Sequence, residues 1–280
     1  MEQEHVYTPA GGTGVQFDIN PGNAGWKYLS FSIVKLGPGE SHESLLDDQE
    51  TAIVPLSGKG TIKAGAASYT ISRESVFTQM PEVLYAPPGV ALEITSDEGF
   101  EFSIGSAPAK GLYPVRLFTP DEMKTEMRGG GASYRQISHV LAPPIPAERL
   151  ILYEVYVPRG TWSGWAPHCH DGFNDSPYLE ETYYFRLDAE GFVMHRNWRI
   201  DEDFDETLVA HDGECAIVTK GFHSSVACPS SNMYFLNYLA GDLYDTDRST
   251  SPCFHDGHTW IDEAWANDDE GAWRLPVVQP

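Results

Sequence analysis

The sequence is poor in basic residues and in long apolar runs. Its 18 lysines and arginines are outnumbered by 41 aspartates and glutamates, which gives a net charge of −23. Such an acidic surface repels nucleic acid and anionic membranes, so neither is expected as a partner. No stretch approaches the roughly eighteen apolar residues of a membrane-spanning helix, so no span is expected either.

Targeting signals and cysteines are also scarce. The first residues, MEQEHVYTPAGG, contain no basic segment followed by an apolar run, so a secretory signal is not expected. Four cysteines are few for 280 residues, and none is spaced as a C-x-x-C pair. This usage favours a reduced, cytoplasmic protein. Cys169 lies between two histidines, but on a strand it would point to the opposite face, so we interpret it as a packing residue.

Strand signals recur along the whole chain, whereas helix signals are weak. Short β-branched and aromatic runs, such as KYLSFSIVKL, LILYEVYVP and MYFLNYLAG, are separated by 26 glycines and 20 prolines. This pattern predicts an all-β protein built as an antiparallel sandwich or barrel. TPDEMKTEM, residues 119–127, is a candidate for one or two helical turns, with Thr119 as N-cap and Pro120 at the first helical position.

An internal repeat predicts two copies of one β-barrel. ETAIVPLSGKG begins at Glu50 and ETYYFRLDAEG begins at Glu181, and each motif has its Leu and Gly at the same offsets. At nearly equal distances downstream, APPGVA ends at Ala91 and VTKGFH ends at His223. The repeat divides the chain into an N-terminal barrel (1–115), a linker or crossing segment rich in Gly and Pro (116–147), and a C-terminal barrel with a tail (148–280).

The second copy carries residues that can bind one divalent metal. His168 and His170 are followed by a pair of glutamates, and His223 comes from a distant strand. Imidazole and carboxylate together suit zinc, iron, manganese, nickel or cobalt rather than calcium. The alternative is that these histidines are surface loop residues beside acidic groups. The first copy has Glu40 and Ala91 where the second has histidines, so the N-terminal barrel is predicted to bind no metal.

Only one of the two neighbouring glutamates can be a ligand, because successive strand residues point to opposite faces. Tyr183 and Phe185 share the face of Glu181, whereas Glu180, Thr182, Tyr184 and Arg186 share the other. The repeat selects Glu181, since Glu50 is taken as its counterpart. The predicted ligands are therefore His168, His170, Glu181 and His223. Such a set leaves coordination positions open, as in catalytic sites.

The remaining histidines do not join this pattern. His255 and His258, in CFHDGHTW, are expected to belong to a polar loop, with a second weak metal site as the alternative. His195 and His211 are expected to be structural histidines with satisfied hydrogen bonds.

These motifs resemble a known family. H-x-H, a later Glu and G-x-H on a β-barrel resemble the cupin superfamily, and the duplication makes the chain similar to a bicupin, with two tandem jelly-roll-like barrels. GTWSGWAPHCHD, YLEETYYFRL, DETLVAHDG, VTKGFHSS and YFLNYLAG resemble the 5-deoxy-glucuronate isomerase family, which also contains 4-deoxy-L-threo-5-hexosulose-uronate ketol-isomerase. The resemblance is strongest over 130–260 and fades in the N-terminal barrel. Thr219 departs from the proline that usually precedes x-Gly.

The resemblance implies a metal-dependent aldose–ketose isomerase of inositol catabolism. It would convert 5-deoxy-glucuronate, a small sugar acid, to 5-dehydro-2-deoxy-gluconate. The metal would act as a Lewis acid, and a base would move a proton between C2 and C1. Because no redox change is needed, zinc or manganese would suffice, while iron, nickel and cobalt also fit the ligands.

Five residues are candidates for proton transfer and for binding the substrate carboxylate. Glu154 lies in an apolar strand, where burial would raise its pKa, or else at a strand edge in solvent. Tyr183 would orient a hydroxyl group, or else pack in the core. Arg135 is the first choice for the carboxylate, since the resemblance has an Arg there, followed by Arg186 and Lys220. A surface position is the alternative for each cation.

Two other functions use the same motifs. An Fe(II)-dependent cupin dioxygenase would share the ligands, and a non-catalytic sugar-binding bicupin would show a degraded set. The tail, residues 244–280 with Trp260, Trp265 and Trp273, is predicted to pack on a barrel or on a neighbouring copy. A homo-oligomer is therefore compatible with the sequence.

Overall fold

The computed structural model describes residues 5–266, and almost all regular structure in them is β. The strands of the first half are β1 (Val6–Tyr7), β2 (Gly14–Ile19), β3 (Ser30–Leu36), β4 (Glu40–Ser44), β5 (Gln49–Ala64), β6 (Ala67–Arg73), β7 (Val83–Ala86), β8 (Leu92–Ser96), β9 (Phe100–Pro108) and β10 (Arg116–Phe118). Those of the second half are β11 (Lys124–Arg128), β12 (Arg135–Leu141), β13 (Ile151–Val157), β14 (Trp162–Cys169), β15 (Leu179–Leu187), β16 (Val193–Trp198), β17 (Asp205–Ala210), β18 (Cys215–Ile217), β19 (Phe222–Ala227), β20 (Met233–Gly241) and β21 (Cys253–Phe254).

The α-helices of the described residues are short. They are α1 (Pro21–Ala24) and α2 (Trp260–Ala266), and neither is long enough to cross a membrane. Pro120–Glu122 forms a single 3₁₀ turn with Thr119 as N-cap, so the predicted turn is present in its shorter form. Further 3₁₀ turns lie at Gly131–Ser133, Phe173–Asp175 and Asp245–Arg248. The all-β prediction is confirmed.

The first half forms one curled antiparallel sheet. Its main path runs β10-β7-β5-β9-β3-β2, with β6 paired to β5 and β8 paired to both β4 and β5. The sheet can curl because β5 is sixteen residues long and pairs with four different strands. Its interior is filled by buried apolar side chains, among them Ile53, Ile62, Phe100 and Phe102.

The second half is a barrel of two facing sheets. One has the order β1-β18-β15-β20-β13-β12-β11, and the other has the order β17-β16-β19-β14-β21. Between them lies a buried cluster that includes Tyr183, Phe185 and Phe235. The outer face of the seven-stranded sheet packs on the first half through Phe31, Tyr184 and Tyr238. Alternate residues of β15 therefore face different cores, as the strand period requires.

The segment 116–147 is not a bare crossing segment. β10 adds to the first-half sheet at β7, whereas β11 and β12 form the edge of the seven-stranded sheet. At the other edge of that sheet lies β1, from the start of the chain. The Gly- and Pro-rich motifs RGGG and APPIP mark the ends of β11 and β12 rather than a link between barrels. The domain division itself stays a prediction.

Two buried glutamates reveal how the halves correspond. Glu50 accepts hydrogen bonds from the backbone N–H groups of residues 148–150, at 2.6–2.8 Å, and from the Tyr85 hydroxyl. Glu180 accepts them from the N–H groups of residues 27–29, at 2.5–2.9 Å, and from the Tyr178 hydroxyl. The structural counterpart of Glu50 is therefore Glu180, and the repeat register used to select Glu181 is off by one residue. A shift of one residue exchanges the faces of a strand, so the repeat does not support the choice of Glu181.

Candidate metal centre

Four predicted ligands come together between the two sheets of the second half. His168 lies at the end of β14 and is the direct cross-strand partner of His223 on β19. His170 follows β14, and Glu181 projects from β15 in the facing sheet. Glu181 points into the barrel, as do Tyr183 and Phe185. The strand period of two predicts this shared face from the sequence.

The turn between β18 and β19, which leads to His223, is held in place from both sides. The Asp171 carboxylate accepts a hydrogen bond from the Gly221 N–H at 2.8 Å and pairs with Arg199 at 2.7 Å. Gly221 has φ +81°, and a Cβ there would collide with the carbonyl oxygen of Trp198. The Thr219 hydroxyl donates to Glu206 at 2.8 Å, so this side chain anchors the turn.

The ligand atoms are close enough to bind one ion. One imidazole nitrogen from each of His168, His170 and His223 lies within 4.8 Å of the other two. Glu181 Oε2 lies 2.8 Å from Nε2 of His170 and 3.2 Å from Nε2 of His223. His170, Glu181 and His223 are all buried. Buried groups of this kind are stable only when they are paired or bind metal.

Two of the predicted ligands, His168 and Glu181, are in the charge state that a metal requires. Burial alone would raise the pKa of Glu181, but the hydrogen bond from His170 and the close approach of the His223 ring hold that pKa well below its usual range. Burial lowers the pKa of His170, and contact with Glu181 more than offsets this and raises it. Burial, with the neighbouring His223 and His170, holds the pKa of His168 well below its usual range. Glu181 is therefore ionised and His168 neutral, which are the forms that bind cations.

One buried atom is left without a hydrogen bond. Nε2 of His223 is fully buried and has no hydrogen-bond partner in the described part of the chain, since Glu181 Oε2 approaches it outside hydrogen-bond geometry. A buried polar atom without a partner costs about 1–3 kcal/mol. A divalent cation bound by the three imidazoles and the carboxylate would satisfy this nitrogen. The residues present therefore fit a transition metal of the zinc or manganese type.

A cavity of about 610 Å³ opens beside these ligands. One wall consists of side chains from the seven-stranded sheet, including Arg135, Tyr153, Tyr183 and Asn237. The opposite wall is the segment 249–254, called here the C-terminal wall. Both His168 and Glu181 line the cavity, so a small molecule inside it can reach the ligand set.

Arg135 is the predicted substrate-binding residue that the structure places in the cavity. It is 8% exposed, and its Nη1 donates to the carbonyl oxygen of Ser133 at 3.2 Å. Within residues 5–266, no carboxylate forms an ion pair with it. Burial, and then the neighbouring Arg128, lower the pKa of Arg135 to about 10. A buried guanidinium without a carboxylate is suited to bind an anionic ligand.

Tyr183 also lies in the cavity, on the predicted face of β15. Its side chain is buried, and burial together with the charge of Glu181 raises its pKa far above the usual range, while Arg135 opposes this shift. Its ring packs 4.7 Å from the His195 ring. Tyr183 therefore keeps its proton and can donate a hydrogen bond to a ligand.

The structure does not place Glu154 in the cavity, and this corrects its prediction as a proton-transfer residue. It is buried as expected, but its carboxylate binds Arg73 at 2.6 and 2.9 Å and accepts from the Tyr234 hydroxyl at 2.8 Å. The neighbours Tyr153 and Val155 line the cavity instead. Because side chains alternate along β13, Glu154 faces the interface between the two halves.

Arg186 and Lys220 are likewise corrected as substrate-binding residues. Arg186 shares the face of Glu180 and binds Glu101 and Asp212 at 3.3 and 2.9 Å. Lys220 pairs with Glu202 at the protein surface. Neither residue lines the cavity. Both cations already have carboxylate partners that are distant in sequence, which a local pattern does not reveal.

Two cavity residues were missed from the sequence. Arg128 lies directly opposite Arg135 in the β11–β12 pair, in the stretch predicted to be a linker. Asn237 lies in an apolar strand, where nothing marked it out. A cationic residue on each of two paired strands is a signal that could have identified Arg128.

Among the other histidines of the described residues, His195 has the hydrogen-bonded surroundings that were expected. His195 is fully buried, with its ring nitrogens 2.8 Å from Ser225 and 3.1 Å from Asn197, and burial lowers its pKa to about 3. His211 is exposed beside Glu214. The rings of His255 and His258 lie 4.6 Å apart. The predicted packing of Trp273 lies outside the described residues.

Comparisons with known proteins agree on one family. Residues 5–261 match the KduI/IolB family. A protein of Geobacillus thermodenitrificans named 5-deoxy-glucuronate isomerase is 34% identical over 252 residues, which is 88% of this chain and 90% of that relative. One of the same name from Bacillus subtilis is 30% identical over 268 residues, 93% of this chain and 97% of that relative.

Solved structures extend the comparison. An IolB-like protein from Salmonella typhimurium is 31% identical with a TM-score of 0.87, covering 92% of this chain and 99% of that one. Oxalate decarboxylase from Bacillus subtilis, described with Mn(II) centres, is 12% identical with a TM-score of 0.62, covering 91% and 80%. At this identity the second likeness shows the fold alone, which is that of a bicupin. With the profile match over nearly the whole chain, the protein belongs to the KduI/IolB family.

Proposed function

We propose that the protein is an aldose–ketose isomerase that converts 5-deoxy-glucuronate to 5-dehydro-2-deoxy-gluconate in inositol catabolism. The relatives that bear the name 5-deoxy-glucuronate isomerase support this reaction. The observation that carries the proposal is one cavity lined by His168, His170 and Glu181, with His223 beside them, and by a buried arginine that forms no ion pair within residues 5–266. A sugar acid needs both features, since its reacting carbon and its carboxylate lie at opposite ends. A cytoplasmic location and a homo-oligomer stay predictions.

His168, His170, Glu181 and His223 would hold the metal, and zinc or manganese suits this mixed set. When bound, the ion supplies Lewis-acid stabilisation for negative charge that develops on substrate oxygens. The Asp171 bridge to Gly221 and Arg199 keeps the histidines of β14 and β19 at their separation. Residues that orient ligands in this way commonly contribute about 10–100-fold to metal affinity.

Arg135 would bind the substrate carboxylate. Its guanidinium is buried, faces the cavity and forms no ion pair within residues 5–266. Because the guanidinium is already desolvated in the folded protein, substrate binding does not have to supply that free energy. Arg128 on the neighbouring strand lines the cavity while its Nε donates to Glu126 at 2.7 Å, and it would add a second cation at the same end. Like charges directly opposite on paired strands are destabilising, and an anion between them relieves the repulsion.

Tyr183 would take part in proton transfer. The isomerisation moves a proton from C2 to C1 and shifts another between the two oxygens. Tyr183 lies beside Glu181 and keeps its hydroxyl proton, so it is suited to donate to a substrate oxygen as negative charge builds there. This role needs the hydroxyl group and leaves the metal ligands unchanged.

Metal content and conversion test the proposal together. Purified protein should contain close to one divalent ion per chain by elemental analysis, and His223→Ala should lose it. His211→Ala is the matched control, because His211 is exposed beside Glu214 and remote from the ligands. With metal-replete protein, a proton NMR time course on 5-deoxy-glucuronate should show the C1 resonances replaced by those of the ketose. Unchanged metal in His223→Ala, or no conversion, would overturn the proposal.

An Fe(II)-dependent dioxygenase would use the same ligands and differ in its co-substrate. The isomerase should turn over without oxygen and with zinc or manganese, because the reaction needs no electron transfer. Oxygen uptake, measured with an oxygen electrode on the same reaction mixture that is followed by NMR, separates the two functions. A non-catalytic sugar-binding bicupin would bind the sugar acid without converting it.

A further inference from the structure

Two cysteines face each other across the strands beside the metal centre. β21 pairs with the end of β14 so that Cys253 is the direct partner of Cys169, while Phe254 is the partner of His168. Cys169 is fully buried against Trp198 and Phe222, on the face of β14 opposite the ligands. Cys253 is partly exposed, and its thiol donates to the carbonyl oxygen of Phe254 at 3.7 Å.

The spacing of this pair suits a disulfide bond. Directly opposite residues on antiparallel strands have Cα atoms about 4.5–5.5 Å apart. Disulfides join residues whose Cα atoms are about 4.4–6.8 Å apart. Cys215 on β18 and Cys228 after β19 are also reduced, and within residues 5–266 neither is the cross-strand partner of another cysteine. The arrangement therefore singles out Cys169 and Cys253.

We propose that Cys169 and Cys253 are a modification site, a thiol pair that hydrogen peroxide converts to a disulfide. The proposal does not rest on the isomerase function. Exposure decides the order of the steps, because peroxide reaches Cys253 from solvent whereas Cys169 is enclosed by protein. In a reducing cytoplasm both thiols stay reduced, and the bond forms only when peroxide is present.

The reaction balances with peroxide as the oxidant. The Cys253 thiol gives up its proton, the thiolate attacks one peroxide oxygen and the O–O bond breaks. A sulfenic acid forms, and the leaving hydroxide takes the proton released by Cys253 as the first water. The Cys169 sulfur then attacks the Cys253 sulfur, the S–O bond breaks, and the hydroxide takes the Cys169 proton as the second water. Two thiols lose two electrons and peroxide gains them.

The bond would fix one wall of the substrate cavity. Pro252 and Phe254, on either side of Cys253, line the cavity, and the Phe254 ring lies 5.9 Å from the His168 ring. In the reduced protein, the C-terminal wall is joined to the ligand strand through the short β21 and the adjoining hydrogen bond from the His255 N–H to the Pro167 carbonyl oxygen. A covalent link between Cys253 and Cys169 would join the wall directly to the residue between His168 and His170.

Thiol counting and peptide mapping test the pair. Full-length protein is treated with stoichiometric hydrogen peroxide, unfolded, and titrated for thiols. We expect the count to fall from four to two, the intact mass to fall by two hydrogens, and a peptide pair joining Cys169 to Cys253. Hydrogen exchange over residues 249–254 should slow in the oxidised protein.

Two serine variants make the result decisive. Cys253→Ser should keep its three remaining thiols under the same treatment, and this partly exposed position tolerates serine without disturbing the core. Cys228→Ser is the matched control and should still form the bridge. The proposal would be overturned if oxygen were added to Cys253 while Cys169 stayed titratable, or if the bridge contained Cys215 or Cys228. Equal loss of the Cys169 thiol in Cys253→Ser would do the same.

Discussion

Glu180 and Glu181 are adjacent, both buried, and on opposite faces of β15, so their replacement by Gln separates stability from metal binding. Glu180 faces the first half and accepts three backbone N–H groups, whereas Glu181 faces the histidines. Gln has nearly the same shape as Glu but lacks the charge and replaces one acceptor oxygen with an NH₂ group. We expect Glu180→Gln to lose stability and keep metal, and Glu181→Gln to lose metal.

The magnitude for Glu180→Gln follows from its contacts. Oε2 accepts from Tyr28 and Leu29, whereas Oε1 accepts from Lys27 and from the Tyr178 hydroxyl, which can rotate to accept instead. The amide therefore places its NH₂ group at Oε1 and leaves the Lys27 N–H without an acceptor, at about 1–3 kcal/mol. The two remaining bonds lose their charge assistance, so the total loss is about 2–4 kcal/mol. The corresponding fall in Tm is roughly 5–15 °C.

For Glu181→Gln, the loss appears in metal affinity. Replacing even an indirect partner of a ligand costs about 10–100-fold, so loss of the ligand charge should cost at least as much. Elemental analysis after dialysis and thermal unfolding by circular dichroism measure the two effects on the same samples. If Glu180→Gln lost the metal and Glu181→Gln retained it, the faces assigned to these carboxylates would be reversed and the ligand set wrong.

Three further predictions concern the residues around the cavity. Arg135→Ala should raise KM for 5-deoxy-glucuronate by about 10-fold or more, since a charge-assisted bond contributes about 1.5–3 kcal/mol, whereas Arg186→Ala should leave KM unchanged. Tyr183→Phe should lower kcat by about 100-fold or more with full metal content; equal kcat would remove the proton-transfer role. Glu154→Gln should lower Tm because Arg73 loses its buried partner, yet leave KM unchanged; a raised KM would return Glu154 to the site.

The interface between the halves has a near two-fold pattern. This pattern explains why the sequence repeat aligned Glu50 with the residue next to its structural counterpart. Glu50 opposes Ala107 and Glu180 opposes Ala240 in equivalent strand pairs, and each glutamate binds the backbone that enters a strand of the other half. The sequence repeat E-T aligned Glu50 with Glu181 because both precede Thr. Selecting Glu181 as the ligand is supported by its contacts with His170 and His223 instead.

The sequence by itself determined the all-β fold, the bicupin duplication and the isomerase family, and the comparisons confirm all three. It also placed Glu181 and Tyr183 on one face of β15, because the strand period of two is a local property that any chain of this pattern must obey. The histidine ligands lie in the short motifs H-x-H and G-x-H, so these histidines could be recognised from the sequence without a structure.

Only the tertiary structure decided which core each face meets and which distant side chain neutralises each charge. Glu154 and Arg73 are 81 residues apart in sequence, and their pairing depends on how the two halves pack. The same holds for Arg135, which stays unpaired within residues 5–266, and for Cys253, which meets Cys169 through a two-residue strand. Strand alternation specifies two faces, and long-range packing assigns one of them to the substrate cavity.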